Sequence, residues 1–459
     1  MIRHRYPSWL QARADVLLSI IILLLAGCAL NPANPAEQVP GDVPPPNPTI
    51  SAEPINLDVW LDLDFVASDP LFREMAQDFE RAYPNVNVNI RAFVRETIPG
   101  KVRNALLVGN PPDLVQGHAF AMAAQGFAEP LDDLWAEWGA QAEFLPQAMD
   151  EVTWDGVKYG VPLDIYTLVL IYNKSYFEEA RLSYPDASYT WQQFASDAAT
   201  LTRPDGARYG LGFTVEPWYV FAWLAEAGGD VLAGDAFIGY RFTLDTPNNV
   251  EALRFLTSMA RNGYGPLPTS RPRDYEDPRK LFLNGQIAMF FGTPADIHYI
   301  QSQAVDFPLG VTELPETPAG AGAASALGST ALFVPRGARH RQVAFEFMKW
   351  ATSDRYGLPM ARRLGYYPAR TWLKTTPHFA GNPLLKPFLF QLEAARPYRL
   401  DAFPEVERAF ADAIKAAFYG ADLIYAPAED RGQLGRVGET CVLQGRKVHY
   451  CLLGSGIGS

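Results

Sequence analysis

Carboxylates and aromatic rings are the residues whose types and placement could do chemistry in this chain. Asp62 and Asp64 end an alternating stretch, and Asp164 is a lone charge ahead of an apolar run. Tyr166, Trp218, Tyr219, Tyr367 and Tyr398 fall at or near predicted strand ends and loops, with Arg399 directly after the last of them. Rings of this kind cover the C–H faces of a sugar, while Asp and Arg take hydroxyls in charge-assisted pairs. Core packing and solvated surface are the ordinary alternative uses of the same residues. Motifs that carry catalysis are missing: the six histidines show no H-E-x-x-H spacing, and there is no G-x-S-x-G elbow, Walker loop or dinucleotide fingerprint. Counts leave a glycosidase pair open, because separation in space decides it. The expectation is binding without bond-breaking, and without cofactor or metal.

The elements that must position these groups read as alternating strands and helices. Leu57, Val59, Leu61 and Leu63 alternate with Asp58, Trp60 and Asp62, a strand with one apolar face. A helix follows, capped near Ser68 or Asp69, burying Leu71, Phe72, Met75, Ala76, Phe79 and Tyr83 and stopped by Pro84. Val86, Val88 and Ile90 alternate again, completing a βαβ unit and hence a parallel sheet. Ligands bind beyond the carboxyl ends of such strands, which singles out the loop Asp62–Val66 with Asp62, Asp64 and Phe65. Lys101–Val108 reads as a helix, and Asp113-Leu114-Val115-Gln116 as a short buried strand running into His118. His118 is there either a ligand group or a surface or packing residue.

The stretch from Trp154 to Phe177 joins the halves. Asp155-Gly156 has the chemistry of a tight turn, Tyr159–Pro162 stays extended, and Tyr166–Tyr172 suits a strand buried on both faces. The pattern DGVKYGVP…LIYNKSYF resembles the crossover segment of bacterial extracellular solute-binding proteins of the sugar-binding class (family 1, maltose-binding-protein-like), the receptors of ABC importers. Further stretches carry the same resemblance. They include LLVGNPPDLV (106–115), QGFAEPLDDL (125–134), FLNGQIAMFFGT (282–293), RQVAFEFMKWATSD (341–354) and RRLGYYPAR (362–370). Thr190-Trp191 resembles a helix start of the family, with Gln192 and Gln193 in place of its acidic residue. The resemblance covers about residues 55–420 and fails beyond Gly420.

The resemblance implies an α/β, two-lobed periplasmic-binding-protein-like fold of the class II type. Each lobe would be a mostly parallel sheet flanked by helices, with three hinge crossovers. Phe282–Thr293 would be the second crossover, with the loop Gly292–Asp296 and so Thr293 and Asp296 facing the cleft. Ser329–Val334 would be the third. Residues 55–163 with 292–328 would form lobe 1, and 164–291 with 329–425 lobe 2. Candidate ligand residues under this scheme are Asp62, Asp64, Phe65, Gln116, His118, Asp164, Tyr166, Trp218, Tyr219, Thr293, Asp296, Ser329, Tyr367, Tyr398 and Arg399. The implied function is capture of a neutral mono- to oligosaccharide by hinge closure, with ABC permease subunits and their ATPases as partners. A tethered receptor feeding a sensor kinase, or an exported glycosidase, are the rival readings.

The ends of the chain bear on location. Arg3, Arg5 and Arg13 precede an apolar run, Val16–Leu25, shorter than the roughly 20 residues a spanning helix needs. The run ends in Leu25-Ala26-Gly27-Cys28, which looks like a bacterial lipobox. Cleavage of this signal peptide, 1–27, would leave Cys28 lipidated on the outer face of the cytoplasmic membrane, with an uncleaved anchor helix as the alternative. Residues 28–54 hold eight prolines and read as an extended linker. Loss of residues 1–27, with Arg3, Arg5, Arg13 and Asp15, takes 39 basic and 51 acidic residues to 36 and 50, a net charge of −14. So acidic a monomer is a poor partner for nucleic acid or anionic headgroups. Cys441 and Cys451 either pair across a short hairpin or remain free thiols in a divergent tail, 426–459.

Overall fold

Ile55, Leu57, Val59 and Leu61 are buried while Asn56 points outward, and the resulting strand β1 (Ile55–Asp62) is the spine of a first sheet. It pairs parallel along its whole length with β2 (Val86–Phe93), and on its other side with β3 (Leu114–Gly117). The helix Leu71–Ala82 makes the crossover, burying Leu71, Phe72, Met75, Ala76 and Phe79 as its periodicity requires. Asp69 holds its start by accepting the Leu71 amide at 2.8 Å. The computed structural model describes residues 43, 44, 47, 50, 53–235, 237–266, 278–317 and 324–419, without the side chains of Asp64, Phe65 and Ser68. The signal peptide, Cys28, most of the linker, Cys441, Cys451 and the tail lie outside the described residues. So does the side-chain assignment of Asp64 and Phe65.

A hairpin, β4 (Thr153–Trp154) and β5 (Val157–Lys158), turns at Asp155 and Gly156 with φ of 50° and 78°. Three short strands then follow almost without a break, each in a different sheet: β6 (Gly160–Pro162), β7 (Asp164–Thr167) and β8 (Val169–Asn173). The second sheet collects β8, β9 (Tyr209–Leu211) and β12 (Ile287–Gly292), with the hairpin β10 (Leu232–Asp235) and β11 (Gly239–Phe242) beside it in sequence. The chain returns the way it came. β13 (Leu309–Thr312) lies in the second sheet, β14 (Ser325–Gly328) beside β7, and β15 (Ala331–Phe333) between β3 and β6 of the first sheet. β16 (Tyr367–Pro368) and β17 (Ala395–Pro397) complete a small hinge sheet of order β16-β7-β14-β17.

Each main sheet is therefore parallel except for one strand. In the first it is β15 and in the second β8, and each is the strand that has just crossed from the hinge sheet. The architecture is the expected two-lobed α/β fold with three crossings. Ser329–Val334 is a crossing as expected, second in chain order, but the other later crossing is not where the sequence put it. Phe282–Thr293 holds an interior strand, β12, pairing antiparallel with β8 and parallel with β9. All six of its residues are buried, and a wholly apolar run reads the same for an interior strand as for a crossing. The second crossing is β13–β14–β15, and the third runs through β16 and β17.

The expected division of the later chain changes with it. Residues 309–312 belong with the second sheet, and residues 331–333 with the first. The helix Arg341–Ala351 also packs on the first lobe, where Phe347 and Trp350 meet Phe79 with ring centroids 5.2 and 5.7 Å apart. The helix Pro404–Tyr419 returns to the second lobe, burying Phe410, Ile414 and Phe418 in its core. There Trp223 stacks on Phe291 at 4.6 Å and Trp191 on Phe255 at 4.3 Å. Trp191 starts a helix whose capping box uses Thr190 and Gln193, so the glutamine does the work of the missing acid.

Candidate ligand-binding site

The carboxyl ends of β1, β3 and β6 lie along one edge of the first sheet because these strands are parallel, with the antiparallel β15 between β3 and β6, and a hydrogen-bonded chain runs across them. The Asp62 amide donates to Gln116 Oε1 at 3.1 Å, and Gln116 Nε2 donates to Thr330 Oγ1 at 3.4 Å. Thr330 in turn donates to Asp164 Oδ1, from its amide at 2.5 Å and its hydroxyl at 3.0 Å. Ser329 Oγ donates to the Asp164 carbonyl at 2.6 Å. The expected residues Asp62, Gln116, Asp164 and Ser329 thus share one polar floor, joining two lobe strands to two hinge crossings. Ser329 and Gln116 are spent inside it, holding backbone and neighbours.

Asp164 is fully buried, and its Oδ2 has no hydrogen-bond partner. Burial pushes its carboxyl up to about 6, against the opposing pull of the Thr330 bonds and of Arg95. Arg95 follows β2 and reaches Asp62 Oδ2 through Nε at 2.6 Å. Its side chain keeps 38% of its surface open, and its other nitrogens make no hydrogen bond among the described residues. Burial works against the Arg95 charge, but Tyr166, Asp62, Tyr366 and Asp164 surround it and keep it firmly protonated.

Tyr166 lies near enough to this floor to act on both Arg95 and Asp164. Tyr166 lies on Gly328 of the neighbouring strand, where a Cβ would meet its Cε2 at 2.1 Å, so only glycine admits the ring. Trp218 meets Tyr166 edge-on at 5.4 Å and Tyr219 at 5.2 Å. Its Nε1 donates to the Leu327 carbonyl at 3.0 Å, fixing the start of the second lobe's helix Pro217–Glu226 to the hinge sheet.

A second group of contacts joins the lobes elsewhere. His118 Nδ1 pairs with Asp401 Oδ2 at 3.0 Å, and Arg399 donates to the Asp150 carbonyl at 2.6 Å while lying 4.4 Å over the Phe120 ring. Burial lowers the His118 pKa, but the hydrogen bond and charge of Asp401 outweigh it, and the net shift is upward. Glu151 is buried beside them and pushed up to about 7, chiefly by loss of water. Trp154 stacks on Tyr240 at 5.1 Å, Phe403 closes on both, and the Tyr240 hydroxyl donates to Asp155. His118 and Arg399 therefore lie in lobe-to-lobe contacts.

Four expected residues lie apart from the floor. Tyr367 is 2% exposed, packed edge-on to Phe379 and Phe388. Tyr398 is buried against Phe221 in the second lobe's core. Thr293 and Asp296 are occupied with each other as a capping box, the Asp296 carboxylate accepting the Thr293 amide at 2.6 Å and hydroxyl at 2.9 Å. The loop expected at Asp62–Val66 is the short helix Leu63–Ser68.

Arg95, Thr330 and Tyr366 were not among the sequence candidates. The rule that selected Asp62 at the end of β1 applies equally to Arg95 just past β2. For the Tyr366-Tyr367 pair, strand alternation sends one ring inward and its neighbour out, and nothing local says which. Among the described residues no group of three or more His, Cys, Asp or Glu is placed to hold a metal ion.

Residues 74–387, well over half the chain, match the family described as bacterial extracellular solute-binding protein. The chain belongs to that family. A mannitol-binding protein of Pseudomonas aeruginosa is 29% identical over 310 residues, spanning 64% of this chain and 68% of that one. A maltotriose-binding protein of Pyrococcus abyssi is 22% identical over 339 residues, spanning 69% and 67%. Among solved structures, an ABC transporter solute-binding protein of Thermotoga lettingae bound with alpha-D-tagatose superposes with a TM-score of 0.68 at 22% identity, over 79% of this chain and 94% of that one. The family's two-lobed fold is the one described above. No helix among the described residues is long and apolar enough to cross a membrane.

Proposed function

We propose that this solute-binding protein captures a neutral carbohydrate between its lobes and delivers it to the permease of an ABC importer. One observation carries the reading: the polar groups of Asp62, Arg95 and Asp164 lie near Tyr166, which Trp218 meets edge-on, so that first lobe, hinge and second lobe each contribute. A sugar has apolar faces for the rings and a rim of hydroxyls for the floor. Closure is then favoured by whatever contacts the ligand adds to the closed state. Relatives that bind mannitol and maltotriose support the ligand class.

The protein acts as a monomer held outside the cytoplasm by lipid on Cys28. Transfer of the closed form to membrane partners fits the family. The test is a thermal-shift panel of monosaccharides, polyols and short oligosaccharides, run with product analysis. A rise in melting temperature without turnover supports capture, since a ligand stabilises the native state by mass action. Release of cleaved sugar would replace this reading with a hydrolase.

A further inference from the structure

The floor of the site holds two unspent hydrogen-bonding groups of opposite kind. Arg95 uses Nε on Asp62 and leaves its terminal nitrogens without a hydrogen bond among the described residues. Asp164 uses Oδ1 on Thr330 and leaves Oδ2 without a partner, in a side chain with no exposure. A buried carboxylate oxygen left without a hydrogen bond is costly, so it marks a place where something else bonds. Resting on the sugar-binding reading above, we infer that Arg95 and Asp164 together read one pair of adjacent hydroxyls on the ligand.

The chemistry of the two groups fits a vicinal diol closely. A hydroxyl has one hydrogen to give and lone pairs to receive with. The planar Arg95 fork donates two parallel hydrogen bonds, one to each oxygen of the diol, and Asp164 Oδ2 accepts a hydroxyl hydrogen back. Each ligand hydroxyl is then polarised from both sides, which strengthens both bonds. Acidic ligands are a poor fit, although the guanidinium alone would suit a carboxylate or phosphate. Asp62 already neutralises Arg95 at 2.6 Å, and Asp164 stands near enough to act on the same charge. An anion there meets one cation and two carboxylates. Lysine cannot stand in for Arg95, because a point charge has no fork.

The experiment is titration calorimetry on the wild type, Arg95→Lys, Asp164→Asn and the double variant. The probes are glucose, mannitol, maltose, maltotriose, glucuronate and glycerol 3-phosphate, with melting temperature as the folding check. For the neutral probe that binds the wild type most tightly, each single variant is expected to lose about 10- to 100-fold in affinity. The double variant should lose less than the product of the two, because both groups read the same hydroxyls. A deoxy analogue lacking either hydroxyl of the pair should bind all four proteins nearly equally. Folded single variants within twofold of wild type, additive losses, or tighter binding of glucuronate or glycerol 3-phosphate than of any neutral probe would each overturn the inference. A folded wild type that binds no neutral probe sinks the sugar reading itself, an outcome distinct from sugars binding with Arg95 and Asp164 indifferent.

Discussion

Thr330 grips one oxygen of Asp164 twice, through amide and hydroxyl at 2.5 and 3.0 Å, and leaves the other oxygen free. The grip joins two separate crossings of the hinge, so it sets the geometry on which the whole site depends. Thr330→Val keeps shape and amide but deletes the hydroxyl, which also receives Gln116 Nε2. The expected cost is about 1–2 kcal/mol, read as a lowered urea midpoint with unchanged slope. An unchanged midpoint would mean the hydroxyl bonds carry nothing.

Stability should fall as pH rises from 5 to 9. Asp164, Glu151 and Glu226 have folded-state pKa values pushed up to about 6, 7 and 9, each chiefly by burial, and His118 is raised by Asp401 despite its burial. A raised pKa means the folded chain holds protons that the unfolded chain releases, so stability is present at low pH and lost as pH climbs through the folded value. Carboxyls held low by arginine, such as Glu74 and Asp133, act only on the acid side of this window. Glu226 is 1% exposed with neither oxygen bonded, so Glu226→Gln should flatten the upper part of the profile. A melting temperature that rises from pH 5 to 9 would contradict this reading.

Tyr366 and Tyr367 should behave oppositely. Tyr367→Ala empties a packed site and is expected to cost about 3–5 kcal/mol. Tyr366 is half-buried and acts on Arg95. Tyr366→Ala should leave the melting temperature nearly unchanged and weaken sugar binding about tenfold in calorimetry.

Capping explains Thr293 and Asp296 without a ligand. Asp296→Ala should cost about 1 kcal/mol of stability, the usual worth of a helix cap, with sugar affinity unaltered in the folded protein. A fall in affinity at full folding would return these two residues to the site.

Tyr240 ties the β10–β11 hairpin of the second lobe to the β4–β5 hairpin of the first, by stacking on Trp154 and by its hydroxyl on Asp155. Tyr240→Ala should speed amide exchange across residues 232–242 at least tenfold, about what the loss of 1.4 kcal/mol of protection gives. Exchange confined to its wild-type rate would show the contact to be incidental.

What was legible in the sequence follows from the range of the forces involved. The βαβ start, the Asp155-Gly156 turn and the capped helix at Thr190 depend on neighbours in sequence, and periodicity reports them directly. The placement of β12 depends on which strands flank it, and a run buried on both faces carries no mark of its partners. The polar floor was half visible. Asp62 and Asp164 announced themselves as charges at strand ends, whereas the role of Thr330 depends on two crossings meeting. Tyr398 packs in the second lobe's core, and an aromatic beside an arginine looks the same in sequence there as at a rim.

The position of β15 has a consequence for how the protein comes into being. In the order β3-β15-β6, the segment Gly160–Pro162 joins its sheet only through Ala331–Phe333. No uninterrupted piece of the polypeptide therefore contains a finished half. While the chain is being made, the flank of β3 stands bare until those late residues arrive, and a bare flank recruits whatever extended peptide is at hand. Completion of the first sheet must wait for Ala331–Phe333, which makes slow, long-range closure and a need for protection during export part of this topology.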